Sequence, residues 1–521
     1  MIEFEPTRNT VHRSVEYAVT AADAAFSAAR DLSPAIRATW LDALATALET
    51  HAEELVALAH NETSLPTGRL RSELVRTAFQ LRLLGVYAAT GEPLAATIDH
   101  ADPGWAMGPR PDIRRVGEPV GVVCVFGASN FPLAFSVLGG DTASALAAGC
   151  AVVHKAHPAH PRLARMTTRL AVDALDNAGA PSGLFSLIES YDDGPALVTH
   201  PLVKAVGFTG STRGGLALAA LAAGRVEPIP FYGELGSTNP VFVMPDAWAA
   251  RRESILAGFV ESITIGMGQF CTKPGYLIAP AGDRDQITRG LLDASPVPSH
   301  PMLSASLRAS FERSLAELEN ADGVEVIARS PGAETAPGTT VLITSATTVL
   351  AEPELLEHEL FGPASVIVEY ETSAQLLQLA ERIGGQLTAT MHADADTDDA
   401  AKLLRTLSSK TGRVLYNGWP TGVSVTYAQQ HGGPFPATTA PATTSVGTAA
   451  IARFLRPVAY QDVPGSLLPP PLQDDNPWRI VRRIDGVHQC DGIPADLAGE
   501  ATAISLPPAG GATRSPSPAS H

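Results

Sequence analysis

Three polar residues in this sequence stand where acyl chemistry would need them. Cys271 lies in Gly266-Met-Gly-Gln-Phe-Cys271-Thr-Lys-Pro-Gly275, a glycine-rich loop beyond a helical stretch. A thiol there can be reached by a substrate and by backbone donors, which suits a nucleophile, whereas a packed core suits a structural thiol. Cys124, inside an apolar run, and Cys150, at a helix-to-strand junction, fit the structural role. Glu234 lies in Phe231-Tyr-Gly-Glu234-Leu-Gly-Ser-Thr-Asn-Pro240, an acid after an apolar strand and among small residues. In a dry pocket it would be a general base; on the surface it would be an ordinary capping acid. Asn130, in Phe126-Gly-Ala-Ser-Asn130-Phe-Pro-Leu133, stands at a turn past a strand's carboxyl end, and its amide can donate to a developing oxyanion.

Other segments suit an anionic ligand. The dinucleotide fingerprint G-x-G-x-x-G is missing from its expected position, but Gly207-Phe-Thr-Gly210-Ser211-Thr-Arg-Gly214-Gly215 follows an apolar run and opens an Ala/Leu-rich helix. Its backbone N–H groups and the Ser211 hydroxyl would face a pyrophosphate at a helix N-terminus; a glycine-rich turn without a ligand is the alternative reading. Lys155 ends a short strand and can reach a ribose or phosphate at the sheet's carboxyl edge. The nearby His154, His157 and His160 do not make a metal site, because two prolines break any shared helix face and neither Cys nor carboxylate completes the set.

The elements that would position these residues read as α/β. Residues 15–89 carry helical spacing, most clearly over 36–60. From Val120 short apolar runs (121–126, 151–154, 184–188, 205–208) alternate with small-residue helices (136–148, 162–178, 214–223), the pattern of a parallel sheet covered by helices. Helices over 249–265, 304–320, 374–383 and 398–408, with strands over 364–370 and 413–417, form a second α/β stretch. The uncharged run 119–140 is long enough to span a bilayer, but its Ser129, Asn130, Pro132 and glycines favour strand, turn and helix.

The whole chain has 521 residues with 45% hydrophobic and 17% charged, which excludes a mainly disordered chain and allows two or three domains. The formal charge of −17 opposes general nucleic-acid binding. Four cysteines at no metal-like spacing, with early acids and no basic-then-apolar run at the N-terminus, lead us to expect a soluble cytoplasmic protein outside any membrane.

Taken in order, Phe-Gly-Ala-Ser-Asn-Phe-Pro-Leu, Lys155, Gly-Phe-Thr-Gly-Ser, Glu-Leu-Gly-Ser-Thr-Asn-Pro, Gly-Gln-Phe-Cys and Glu359-Leu-Phe361-Gly-Pro363 resemble the aldehyde dehydrogenase superfamily over about residues 15–485. The stretch from Gly139 to Cys150, followed by Lys155-Ala-His-Pro-Ala-His, is most similar to the α-ketoglutaric semialdehyde (2,5-dioxovalerate) dehydrogenase branch. An NADP-dependent fatty-aldehyde enzyme shares parts of this texture. The resemblance implies a Rossmann-like coenzyme domain over 1–244 with a bridging segment near 100–118, a catalytic domain over 245–430, and a return to the coenzyme domain with a bridging strand over 431–486; the tail over 487–521 extends beyond the family pattern and, without aromatic residues and ending Ser-Pro-Ser-Pro-Ala-Ser-His, reads as disordered.

It also implies roles: Cys271 as nucleophile, Asn130 and the Cys271 N–H around the oxyanion, and Glu234 as the base that activates water. Glu359 would bind the nicotinamide ribose and Phe361 would pack beside the ring. Lys155 would bind the adenosine ribose or its phosphate, and Gly210 with Ser211 the pyrophosphate. Pro158 replaces the acid that many NAD-preferring members carry three residues after the lysine, so NADP is expected with NAD as the alternative, although Asp192 and Asp193 oppose this. Glu234 disfavours transfer of the acyl group to coenzyme A, and retention of the chemical residues disfavours a catalytically silent, structural or nucleotide-binding paralogue. A homodimer or homotetramer is the implied assembly.

Overall fold

The computed structural model describes residues 13–282, 284–296 and 300–489. Four helices lead: α1 (Arg13–Ala29), α2 (Pro34–Thr50), α3 (Ala52–Thr63) and α4 (Thr67–Ala89). A proline in the first turn of α2 follows an extended Ser33, and Leu41, Leu44 and Leu48 recur on its buried side. The first of them packs directly on the first large sheet, and the other three pack on one another and on helices that cover it. Two strands follow, β1 (Thr97–Asp99) and β2 (Ile113–Pro119).

The chain then alternates β3 (Val122–Phe126), α5 (Gly140–Ala148), β4 (Ala151–Lys155), α6 (Pro161–Asn177), β5 (Phe185–Ile188), α7 (Asp193–Thr199), β6 (Val203–Thr209), α8 (Thr212–Ala223) and β7 (Phe231–Glu234). The five strands form one parallel sheet in the order β5-β4-β3-β6-β7. Buried on both faces, β3 and β4 read as continuous apolar runs, and their carboxyl ends put Phe126 opposite Lys155. The uncharged run 119–140 is thus strand, turn and the start of a helix. Among the described residues no helix is long and apolar enough to cross a membrane.

The second unit runs β8 (Val241–Val243), α9 (Pro245–Thr264), β9 (Tyr276–Pro280), α10 (Arg284–Ala294), α11 (Ala305–Glu319), β10 (Glu325–Arg329), β11 (Thr340–Ser345), α12 (Ala346–Ala351), β12 (Ala364–Tyr370), α13 (Ser373–Arg382), β13 (Gln386–His392), α14 (Asp398–Lys410) and β14 (Thr411–Tyr416). Its seven strands lie in the order β10-β11-β12-β9-β8-β13-β14, parallel except at the β10–β11 edge. Because β8 already belongs to this sheet, the crossing between units falls between Glu234 and Val241, a few residues before the expected 244/245 boundary.

A third sheet joins β2 to β15 (Leu455–Gln461), antiparallel, with β1, β16 (Arg482–Ile484) and β17 (Val487–Gln489) beyond, in the order β15-β2-β1-β16-β17. The segments expected near 100–118 and in the 431–486 return meet here. The expected tail needs a correction at its start, since Val487–Gln489 is paired against β16 across a turn at Asp485 and Gly486 (φ 83). Residues 490–521, including Cys490, and the N-terminal hexapeptide lie outside the described residues.

Candidate active site

Cys271 follows α9 through Gly266, Met267 and Gly268, all left-handed (φ 58, 57 and 64). Gly268 is there for a second reason: a Cβ at this position would stand 2.1 Å from the carbonyl oxygen of Gly362. The cysteine loop therefore lies directly on the loop that carries Glu359 and Phe361. From the other side Asn239 donates through Nδ2 to the carbonyls of Cys271 (2.8 Å) and Lys273 (3.0 Å). Asn239 is held in turn by Gln386 of β13, whose Oε1 accepts from the N–H groups of Thr238 (2.8 Å) and Asn239 (3.1 Å). Cys271 is positioned by a buried polar network that spans the link between the two large sheets.

Glu234 ends β7 and is buried. The segment that follows β14 returns beside it, with a bridge between Glu234 and Thr438, and brings two partners. Glu234 accepts from His431 Nε2 through Oε1 (2.8 Å) and from Ser445 Oγ through Oε2 (2.7 Å). Since a carboxylate accepts, Nε2 carries the ring proton, and His431 Nδ1 is buried without a partner among the described residues. The Cys271 Sγ lies 3.7 Å from the same Nε2.

Burial alone would raise the Glu234 carboxyl, but the His431 ring and hydrogen bonds from His431, Ser445 and the Cys271 thiol hold it below its usual range. The thiol is pushed the other way, well above its usual value, by burial first and then by the charges of Glu234 and Glu359. At rest the pair is a thiol against a carboxylate. Glu234, Cys271 and His431 keep their donor atoms within 4.8 Å of one another, a set suited to a thiophilic cation, but an ion there would occupy the nucleophile.

Asn130 is buried and donates from Nδ2 to the carbonyl of Gln269 (3.0 Å), two residues before the cysteine. Its loop is fastened from α4. Glu73 Oε1 accepts from the N–H groups of Leu133 (2.8 Å) and Ala134 (2.9 Å), and Arg69 Nη2 donates to the carbonyl of Asn130 (2.6 Å). The Arg69 guanidinium carbon lies 4.9 Å from the ring centroids of both Phe131 and Phe270, tying the asparagine turn to the cysteine loop.

A cavity of about 640 Å³ is lined by Asn130, Glu234 and Cys271 and also by Lys155, Gly210, Ser211, Glu359 and Phe361. Every residue assigned to chemistry or coenzyme from the sequence thus lines one space. Lys155 is buried, with Nζ donating to the carbonyl of Ala156 (2.7 Å); burial lowers its pKa, opposed by Asp193 and Glu189. Ser211 caps α8 by accepting from the Gly214 N–H (3.3 Å), and the free N–H groups of this first turn suit a phosphate.

Burial pushes Glu359 up to about 7 against the pull of Lys273 and the Ser237 N–H, and it brings Lys273 down to about 7 against Glu359. A Cβ at Gly236 would stand 2.5 Å from Glu359 Oε2, so the glycine leaves room for that carboxylate. A long cleft with a buried ammonium, a capped helix N-terminus and a buried acid fits an extended dinucleotide. His157 and Pro158 line the cleft beside Lys155, while His154 is buried in β4, where burial pulls it down to about 3.

Sequence reading did not find His431, Ser445, Arg69, Glu73, Lys273, Asn239 or Gln386. The available signals were weak: His431-Gly-Gly-Pro reads only as a turn, and a helical Glu73 flanked by Arg69 and Arg76 reads as a solvated face.

Residues 6–434 match the Aldehyde dehydrogenase family. The chain is 47% identical over 479 residues to Alpha-ketoglutaric semialdehyde dehydrogenase 2 of Azospirillum brasilense, covering 91% of each chain. It is 44% identical over 481 residues to Alpha-ketoglutaric semialdehyde dehydrogenase of Acinetobacter baylyi, again covering 91% of each. Among solved structures, a 3,6-anhydro-L-galactose dehydrogenase in complex with NAP superposes with a TM-score of 0.73 at 21% identity, over 87% of this chain and 92% of that one.

Proposed function

The chain belongs to the aldehyde dehydrogenase family, and from this premise we propose that it oxidises α-ketoglutaric semialdehyde to 2-oxoglutarate through a thioester on Cys271. It is an NAD(P)-dependent aldehyde dehydrogenase. The observation that carries the mechanism is the buried Glu234 beside Cys271 in the cavity that also holds Asn130 and Lys155. The substrate follows from relatives so named, similar over 91% of this chain.

Cys271 Sγ forms a bond to the aldehyde carbon, and its proton passes to Glu234, whose carboxylate already accepts from the thiol. The oxygen that gains charge is held by the Asn130 amide and the Cys271 N–H. When bound, the coenzyme supplies a nicotinamide ring that takes up two electrons and the hydrogen of the aldehyde carbon. Glu234, having passed its proton to solvent, then takes one from water, whose oxygen bonds to the thioester carbon; the carbon–sulfur bond breaks and the sulfur regains a proton from Glu234. His431 and Ser445 orient the carboxylate for both transfers. Phe361 and Glu359 would hold the ring end of the coenzyme, Gly210 and Ser211 its pyrophosphate, and Lys155 its adenosine ribose or phosphate.

NADP is favoured over NAD because Pro158 and Lys155 present no acid where a 2′-phosphate would lie, although Asp193 and Glu189 temper the lysine's charge. The enzyme acts in the cytoplasm as a homodimer or homotetramer. The test is a panel of α-ketoglutaric semialdehyde, succinic semialdehyde, glutaraldehyde and long-chain aldehydes, each with NAD and NADP. The highest kcat/KM is expected for α-ketoglutaric semialdehyde with NADP; a preference for long aliphatic chains would overturn the substrate assignment.

A further inference from the structure

Two arginines, Arg76 and Arg413, carry buried donors that have no partner among the described residues. Arg76 of α4 donates from Nε to the carbonyl of Val423 (3.4 Å), and its guanidinium carbon stands 5.1 Å from the Phe135 ring centroid. Both its terminal nitrogens, Nη1 and Nη2, are buried without a hydrogen-bond partner among the described residues. Arg413 of β14 commits Nη1 to the carbonyl of Gly422 (3.1 Å) and Nη2 to that of Pro420 (2.8 Å), leaving a buried Nε without a partner among the described residues. Neither side chain belongs to the lining of the coenzyme cleft. Both hold one segment, Arg76 at Val423 and Arg413 at Pro420 and Gly422, and Arg413 stands opposite Thr388 of β13, whose hydroxyl donates to the Asn239 that holds the Cys271 carbonyl.

The neighbouring acid does not satisfy Arg76. Glu73 is an electrostatic counterion to both Arg69 and Arg76, but its Oε1 is taken by two backbone N–H groups, and its Oε2 has no partner among the described residues. One carboxylate thus faces two guanidinium groups. Phe135 bridges the distance to the reacting groups, since its ring contacts Arg76 on one side and lies 6.2 Å from the His431 ring on the other.

Buried donors in folded proteins are almost always paired, and a planar guanidinium with both terminal nitrogens open matches a carboxylate in bidentate geometry. We propose that Arg76 grips the carboxylate at the far end of the substrate, with Arg413 adding a third donor through Nε, so that these two residues select a carboxylate-bearing aldehyde. The inference rests on the substrate reading above and gives it a physical basis: the carboxylate of α-ketoglutaric semialdehyde lies four carbon–carbon bonds from its aldehyde carbon, with a keto oxygen beside it for the extra donor.

The test compares the full-length wild type, Arg76→Met, Arg76→Lys and Arg413→Met with α-ketoglutaric semialdehyde and with pentanal, a neutral aldehyde of equal chain length. The ratio of kcat/KM for the semialdehyde to that for pentanal should fall about 100-fold in Arg76→Met, mainly through KM. Arg76→Lys should fall between, because it keeps the charge and loses the fork, and Arg413→Met should show a smaller loss. Stoichiometric alkylation of Cys271 by iodoacetamide, slowed by coenzyme, certifies a folded site in each variant; should Arg76→Met fail it, Arg76→Lys and Arg413→Met decide. If wild type does not prefer the semialdehyde over pentanal, the substrate reading falls and the grip with it. If wild type has the preference and the variants keep it, or lose both substrates equally, the grip alone is overturned.

Discussion

At the residue scale the central relation is a thiol whose ionisation is suppressed beside a carboxylate whose ionisation is favoured. That relation depends on His431, which holds Glu234 through Oε1 and touches the sulfur with the same nitrogen. Replacing it by Leu removes influences that keep the Glu234 pKa low, so the carboxyl titrates at higher pH. A base must be ionised to act, and its acid limb should move up accordingly. Steady-state turnover of His431→Leu should be about tenfold below wild type at pH 6 and should recover toward it at pH 9. A pH profile of kcat displaced equally at all pH values would remove His431 from this role. That Cys271, Glu234 and Asn130 line one cavity was legible through the ordered series of motifs that resembles the family, since each stretch alone reads as readily as a buried thiol, a capping acid or a plain turn. His431 and Ser445 were not, because their meaning comes from a contact across 197 and 211 residues of chain.

At the element scale the site is made by loops that cannot separate. The left-handed turn at 266–268 lets the cysteine loop lie against Gly362, and Gln386 of β13 fastens the 237–239 turn that holds the other side. Gly268→Ala would combine a positive φ with a Cβ inside the Gly362 carbonyl. We expect a loss on the order of 2–4 kcal/mol, seen as a lower thermal midpoint, with aldehyde oxidation falling further than the fold. An unchanged midpoint with full activity would mean that the two loops move apart freely. Most strands and helices around the site were readable from period and composition, with ends displaced by a few residues. The reading missed β8 and placed the crossing between units late, because a three-residue apolar strand before a proline-capped helix carries almost no period.

At the scale of the whole molecule, two large sheets supply the coenzyme cleft and the nucleophile, and a third sheet stands apart with β15 and β17 at its edges. Edge strands that are unpaired among the described residues invite another chain, which supports the proposed assembly. Light scattering at micromolar concentration should give two or four times the single-chain mass, and a monomer would contradict it. The acidic balance of the sequence was legible as a surface property, whereas the placement of Lys155, Lys273, Arg69, Arg76 and Arg413 around one buried site was not. Composition counts charges without saying which of them face inward. The central claim joins these scales: aldehyde carbon is carried on Cys271 and released by water that Glu234 activates. Rapid mixing of Glu234→Gln with aldehyde and NADP tests it most directly. We expect one reduced coenzyme per active site in a burst, slower than in wild type because Glu234 also takes the thiol proton, followed by turnover on the order of a hundredfold or more below wild type; steady turnover at the wild-type rate would contradict it.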